Sequence, residues 1–311
     1  CTVYEVGEDD DGRLYIATHG EGLWAFDGTT FEGPIQTHPE LMTAWVWALH
    51  VDTRGRLWAG FLEDGASIVT PPTAIPLGRP SEIYAIDDAL DGGVLFATSA
   101  GLLRVDDGTT SAELPFAETG TITALRRARN AVWFGTSDGR VFRRPRGGEW
   151  TTAERDLQQH DGERIRSIRI DPRGRAWIVA EGHLRVETSD RWLRIESRDG
   201  LGDLAPTDVA FDELGGVWVA SKRGIAKFDR EALVEAARGG APARSVLLNE
   251  SDGLRSVEIN HVATWAHEGA KLLVFSTLDG IALVDPERLR LPSLPPHVEV
   301  DFLQYHAESD R

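Results

Sequence analysis

The sequence predicts an all-β chain folded as a seven-bladed β-propeller, with a short helical insertion in the sixth blade. Three observations carry that prediction. One short run of residues returns along the chain, the returns fall at roughly 40-residue intervals, and almost nothing shows the 3.6-residue period of an amphipathic helix. The clearest copy is Asp52, then Gly55-Arg56-Leu57-Trp58-Ala59-Gly60, then Gly65-Ala66-Ser67-Ile68-Val69. A turn glycine, a strand with one large apolar anchor, a small residue and a second glycine-led strand describe most copies.

The anchors are Tyr15, Trp58, Leu95, Trp133, Trp177, Trp218 and Val274, spaced by 43, 37, 38, 44, 41 and 56 residues. That spacing suits one four-stranded sheet per repeat in a closed ring, and the lack of a 3.6-residue period argues against a helical solenoid. Within a repeat an inner strand comes first, as in Val46 to Val51 and Ile165 to Ile170. A turn follows, Asp52-Thr53-Arg54-Gly55 or Asp171-Pro172-Arg173-Gly174, with Asp and Gly at the ends a type I turn prefers. The second strand carries the anchor. The third opens on Gly22, Gly101, Gly139, Gly224 or Gly280, and the fourth often opens with an aromatic: Phe31, Trp150, Trp192. Trp58, Trp133, Trp177 and Trp218 recur in phase, so packing between neighbouring sheets explains them better than binding does.

The long sixth spacing has its own cause. After Phe228, the run Asp229-Arg230-Glu231-Ala232-Leu233-Val234-Glu235-Ala236-Ala237-Arg238-Gly239 has Asp at the N-cap, an early acid, a late arginine and a closing glycine. It reads as a capped helix between the third and fourth strands. Residues 1–290 form the propeller by this reading. Residues 291–311 hold a proline-rich joint, Leu291 to Pro296, and an alternating strand, His297 to Leu303.

The 311 residues are 41% apolar and 27% charged, an ordinary globular balance, and their net charge is −17. A surface that negative repels nucleic acid and anionic membrane as main partners. The single cysteine, Cys1, excludes an internal disulfide or a multi-cysteine metal site. No run approaches the ~18 apolar residues of a membrane helix, so this stretch is not expected to insert in a membrane. Strand-like Thr2 to Val6 follows Cys1 directly, and the expectation is a piece of a longer protein rather than a tethered lipoprotein.

The repeat Asp-x-x-Gly-x-Leu-Trp-Ile-Gly-Thr-x-x-Gly-Leu resembles the two-component regulator propeller repeat. Ser251-Asp252-Gly253-Leu254-Arg255-Ser256-Val257-Glu258-Ile259-Asn260 resembles the segment that opens that family's final blade, and Asp279-Gly280-Ile281 with Asp285-Pro286 its close. Pro295-Pro296-His297-Val298-Glu299-Val300 resembles the entry to the β-sandwich that follows the propeller. The match spans nearly the whole chain and is weakest in repeats three and seven, where Leu95 and Val274 replace the tryptophan. The resemblance implies the periplasmic or extracellular sensor region of a bacterial membrane receptor, with neighbouring domains of that receptor, or a second copy, as partners. It implies a carbohydrate fragment as ligand.

Propeller ligands sit where loops converge at the mouth of the channel. The strand order puts there the starts of inner strands and the loops between second and third strands. Trp45 and Trp47 break the repeat at that rim and, alternating with Val46 and Ala48, should point to one side, where they would stack on a sugar ring or else plug the channel or pack on the next blade. The expected polar companions are His19, Glu63, Glu82, Arg164, Lys222, Arg223, Asn260 and His261, with Glu21, Asp64, Asp138, Glu181 and Asp279 near them. Each competes with a plain reading as a solvated loop side chain, and Asn260 and His261 with a role in closing the last blade.

No cofactor or metal is expected. His267-Glu268-Gly269-Ala270-Lys271 lacks the second histidine of a helix-borne zinc site, Asp9-Asp10-Asp11-Gly12 lacks calcium-loop spacing, and no phosphate loop or nucleophile elbow occurs. The chain therefore reads as a non-enzymatic sensor. A propeller lyase or lactonase, using His19 or His261 with nearby carboxylates, is one alternative, and a pure interaction scaffold the other.

Overall fold

A computed structural model describes residues 1–35, 45–62, 65–70, 73–75, 82–115, 119–153, 162–267 and 270–289. The chain is a seven-bladed propeller: six four-stranded antiparallel sheets and one that is three-stranded among the described residues, each with its strands in chain order. The inner strands are Val3–Glu8, Val46–Val51, Ile83–Asp88, Ile122–Arg127, Ile165–Ile170, Pro206–Phe211 and Ile259–His267. The predicted joint at 291–296 and strand at 297–303 lie outside the described residues.

The recurring run is a folding instruction whose chemistry is now visible. In blade two, Asp52 Oδ1 accepts the backbone N–H of Arg54 and of Arg56, both at 2.9 Å, which fixes the turn. Its other oxygen accepts the Trp58 indole N–H at 2.8 Å and Arg56 Nε at 2.7 Å. Asp171 repeats this with Trp177 (3.2 Å) and Arg175 (2.7 Å), and Asp212 with Trp218 (2.9 Å) and Lys227 (3.2 Å). One buried carboxylate thus closes the turn, satisfies the indole and holds a cation against it, so a large aromatic is buried without an orphaned donor.

The anchors join the blades. Each of the seven belongs to its own apolar cluster, and each cluster spans two consecutive blades: Trp58 packs with Phe96 of blade three, Trp177 with Val209 and Phe228 of blade six, Trp218 with Phe275 of blade seven. Val274 closes the circle with Val3, Val6 and Leu14 of blade one. Space between sheets is tight enough to require glycine at Gly60, where an added Cβ would stand 2.6 Å from Ile83 Cγ2.

Ring closure among the described residues uses packing and side-chain hydrogen bonds. Asn260 Nδ2 donates to Val3 O (2.9 Å), Ser276 Oγ to Tyr4 O (3.2 Å) and Trp265 Nε1 to Gly12 O (2.8 Å). The predicted helix forms as Arg230–Ala237 between the third and fourth strands of blade six. Asp229 caps it, accepting the Ala232 N–H at 2.8 Å.

Candidate functional site

Every inner strand carries one β-bulge, and it falls at the same place in each. The register skips Tyr4, Trp47, Tyr84, Thr123, Arg166, Thr207 and Asn260 in blades one to seven. A bulged residue is left out of the ladder and its side chain is re-aimed. Here all seven line one cavity of about 320 Å³ at the mouth of the channel, and Thr123, Thr207 and Asn260 each donate to a backbone carbonyl of the next blade, Ile165, Ile259 and Val3. Blades one to three contribute three aromatics in succession, and blades four to seven contribute Thr, Arg, Thr and Asn. The mouth is therefore two-sided, an aromatic arc facing a hydrogen-bonding arc.

The next residue along each inner strand gives a second division, displaced from the first by one blade. Ala48, Ala85 and Ala124 follow the bulge on blades two to four, while Glu5, Ser167, Asp208 and His261 follow it on blades one, five, six and seven and form a polar cluster. Asp208 is buried and accepts from Arg169 Nε (2.9 Å), Arg169 Nη2 (2.5 Å), Ser167 Oγ (2.6 Å) and the Val209 and Val262 N–H groups (2.9 and 3.1 Å). His261 Nδ1 stands 3.0 Å from Asp208, and His261 Nε2 3.8 Å from Glu5. Burial alone would raise the Asp208 carboxyl, but the Arg169 guanidinium and His261 outweigh it and hold the carboxyl far below the usual range. Glu5 goes the other way: burial pushes it up against the pull of His261.

Of the residues expected at the rim, Trp47, Arg164, Asn260 and His261 line the cavity. Trp45 and His19 stand just outside it. Trp45 lies ahead of the strand, its ring 4.4 Å from His19, which meets Tyr4 at 5.6 Å, and Tyr4 meets Trp47 at 4.4 Å. The four rings make a continuous shelf leading inward, and Trp45 is 43% exposed at its outer end. Glu82 accepts the Tyr84 hydroxyl, and burial together with that contact pushes the phenol up to about 12. Lys222 and Arg223 are exposed on the blade-six loop and line no part of the cavity. Arg223 pairs with Asp203 at 2.9 Å. Glu181 pairs with Arg166 (3.1 Å), Asp138 with Arg140 (2.9 Å), and Asp279 stands 3.7 Å from the terminal amine of Cys1. Glu21 is exposed, while Glu63 and Asp64 lie outside the described residues.

Tyr4, Tyr84, Thr123, Arg166 and Thr207 escaped the sequence reading, as did Glu5, Arg169 and Asp208. A signal for the first five exists in the frame apolar–x–small or polar–apolar, seen in Val3-Tyr4-Glu5-Val6, Ile83-Tyr84-Ala85-Ile86 and Ile165-Arg166-Ser167-Ile168. Two apolar residues three apart break strict alternation, as a bulge must.

The opposite end of the channel is a second cavity of about 480 Å³, which shares Glu5, Ala85, Leu125, Arg169 and His261 with the first. His50, Asp87 and Asp88 gather there with ligand atoms within 4.8 Å of one another. Their lone pairs are largely taken: Asp87 accepts the Asp88 and Arg127 N–H groups at 2.8 Å, and Asp88 lies 3.2 Å from Thr53 N and 3.4 Å from His50 Nε2. Burial disfavours a charged His50, yet these acids prevail and raise its pKa. The cluster reads as an internally compensated ion pair.

No protein-family model matches the chain. Among solved structures it is similar to the extracellular domain assigned to the hybrid two component system BT3049 of B. thetaiotaomicron, with TM-score 0.74 and 15% identity over 92% of this chain and 39% of that one. It is also similar to PorZ, a bacterial surface component of the type-IX secretion system of Porphyromonas gingivalis, with TM-score 0.68, 17% identity and coverage of 89% and 46%. A third is YCF48 bound to D1 peptide, with TM-score 0.63, 14% identity and coverage of 91% and 90%. In sequence, the photosystem II assembly lipoprotein Ycf48 of Synechococcus sp. (strain CC9902) is 28% identical over 155 residues, 47% of this chain and 45% of that protein. The chain thus spans under half the length of the BT3049 domain, PorZ and this Ycf48. These likenesses show the fold, a seven-bladed propeller.

Proposed function

We propose that this chain is the ligand-sensing propeller of an extracytoplasmic bacterial receptor of the two-component regulator class, and that it binds a small polar ring-bearing ligand, an oligosaccharide fragment, at the channel mouth. The observation that carries this is the ring of seven bulge side chains, with aromatics on three adjacent blades and hydrogen-bonding groups on the other four. An aromatic arc suits the apolar C–H face of a sugar ring, and the opposite arc suits its hydroxyls. A cavity of 320 Å³ is at the small end of the ~300–1,000 Å³ of ligand pockets, so it fits a short fragment rather than a long chain. The likeness to the BT3049 extracellular domain supports the receptor setting and a periplasmic or extracellular location. Neighbouring domains of the same receptor, or a second copy, would then read the occupied state.

A thermal-shift screen with short oligosaccharides tests this. A ligand at a hundredfold excess over its Kd adds about 2.7 kcal/mol of stability, a readable shift. Trp47→Ala should abolish that shift, and Trp45→Ala should weaken it. No shift with any glycan would remove the saccharide reading.

The second reading is a protein- or peptide-binding assembly propeller, favoured by the sequence relative named as an assembly lipoprotein and by the structural neighbour bound to a peptide. Binding of extended peptides across the same rim, with no response to glycans, would decide for it. A channel-mouth lyase would draw on the His261–Asp208–Glu5 cluster, where His261 is already engaged by Asp208 and Arg169.

A further inference from the structure

The charge of the cavity departs from that of the chain. The protein carries a net −17, yet the walls of the mouth present three arginines, Arg164, Arg166 and Arg169, against one carboxylate, Glu5. Two of the three arginines are committed. Arg169 is spent on Asp208, and Arg166 reaches outward to Glu181 at 3.1 Å. Arg164 has no carboxylate partner among the described residues. Its guanidinium instead lies over the Tyr84 ring, 5.1 Å from the centroid, reaching across from blade five to blade three. A cation parked on an aromatic face inside a concave site, with its hydrogen-bonding edge unspent, is a preorganised receptor for an anion. The same residue would be a poor choice for a neutral ligand, because a neutral hydroxyl gains less from a guanidinium than a carboxylate does.

We infer that the ligand of the channel mouth is acidic: a pyranose-sized ring stacked on the Tyr4–Trp47 side, whose carboxylate is taken by the guanidinium of Arg164. This rests on the ligand-sensing reading and goes beyond it by fixing the charge of the ligand and the residue that selects it. Arg164 is a recognition residue here. Arg169 is a positioning residue, since it acts by fixing Asp208 and His261 below.

The test uses digalacturonate and its dimethyl ester, which share every stacking face and differ in charge. Both are titrated into the intact chain by calorimetry at low and physiological salt. The acid should bind about tenfold or more tighter than the ester, the difference expected when a charge-assisted hydrogen bond is lost. Salt should narrow the gap, and Arg164→Gln should bring the acid down to the ester's affinity while leaving the ester unchanged. Equal affinities, or a preference that survives Arg164→Gln, overturn the inference while the ester's binding leaves the sensing reading intact. Binding of neither overturns this ligand class. A second measurement, independent of sugar choice, is quenching of the fluorescence lost in Trp47→Phe. Iodide should quench it more than caesium at equal ionic strength, and Arg164→Gln should reduce the iodide effect but not that of neutral acrylamide. No iodide preference would show that the cavity is not positive and would likewise overturn the inference.

Discussion

Asp208→Asn is the sharpest perturbation of the framework beneath the cavity. The carboxylate sits on blade six, takes two hydrogen bonds from Arg169 of blade five, and accepts the Val262 N–H of blade seven, so three blades meet on one side chain. The amide keeps its shape but leaves the Arg169 charge without its partner. Removing one member of a buried pair costs about 3–5 kcal/mol, chiefly for the charge left behind. The Arg169 side chain retains 18% exposure toward the channel while that of Asp208 has 1%. Partial hydration favours the lower end, about 3 kcal/mol. The assay is urea unfolding at pH 7, read as a shift in midpoint at constant slope. The sign with pH follows from the depressed carboxyl: the stabilisation is complete above the unfolded value near ~3.9 and is lost as pH falls below it toward the folded value. The gap between wild type and Asp208→Asn should therefore be flat from neutral pH down to about 5 and narrow below about 4. The double replacement Asp208→Leu with Arg169→Met should recover most of the loss. A deficit under about 1 kcal/mol for Asp208→Asn would refute the reasoning.

Other outcomes follow from the same structure. Trp218→Ala should cost about 3–5 kcal/mol in urea unfolding, since the ring is fully buried between blades six and seven. Gly60→Ala should destabilise by about 1–3 kcal/mol through overpacking against Ile83, whereas Gly174→Ala meets no neighbouring atom and should show only the strain of its positive φ. In spectrophotometric titration, the ionisation missing from Tyr84→Phe should fall near 12, and Glu82→Gln should lower it. Because the folded phenol is the weaker acid, whatever that hydrogen bond contributes to stability is lost as pH rises from about 10 toward that value.

The blades were legible in the sequence because the Asp–Gly–Trp run solves a local problem. In blades two and five the turn, the indole and the cation lie within a few residues of one another, and in blade six the turn and the indole do, so the pattern survives in one dimension. The helix at Arg230–Ala237 was readable for the same reason: its cap and its closing glycine are local. The channel was not. Glu5, Arg169, Asp208 and His261 come from four blades, and only closure of the ring sets them side by side. In sequence Glu5, Arg169 and Asp208 look like the outward members of alternating strands, and His261, expected at the rim, does not reveal its partners. Alternation also put Trp45 and Trp47 on one side, whereas the bulge at Trp47 turns its ring into the cavity and Trp45, ahead of the strand, rests on His19. Loop charges such as Lys222 and Arg223 drew notice because exposed polar residues mark rims, yet the cavity is lined from the strands within.

The most direct measurement is crystallographic: the chain grown with the ligand that the screen returns, and the position of its difference density. Density between the Tyr4–Trp47 shelf and Asn260, with an acidic group at Arg164, is the predicted result. Density seated instead at the far end of the channel around His50 and Asp87 would contradict a receptor built on the seven bulges.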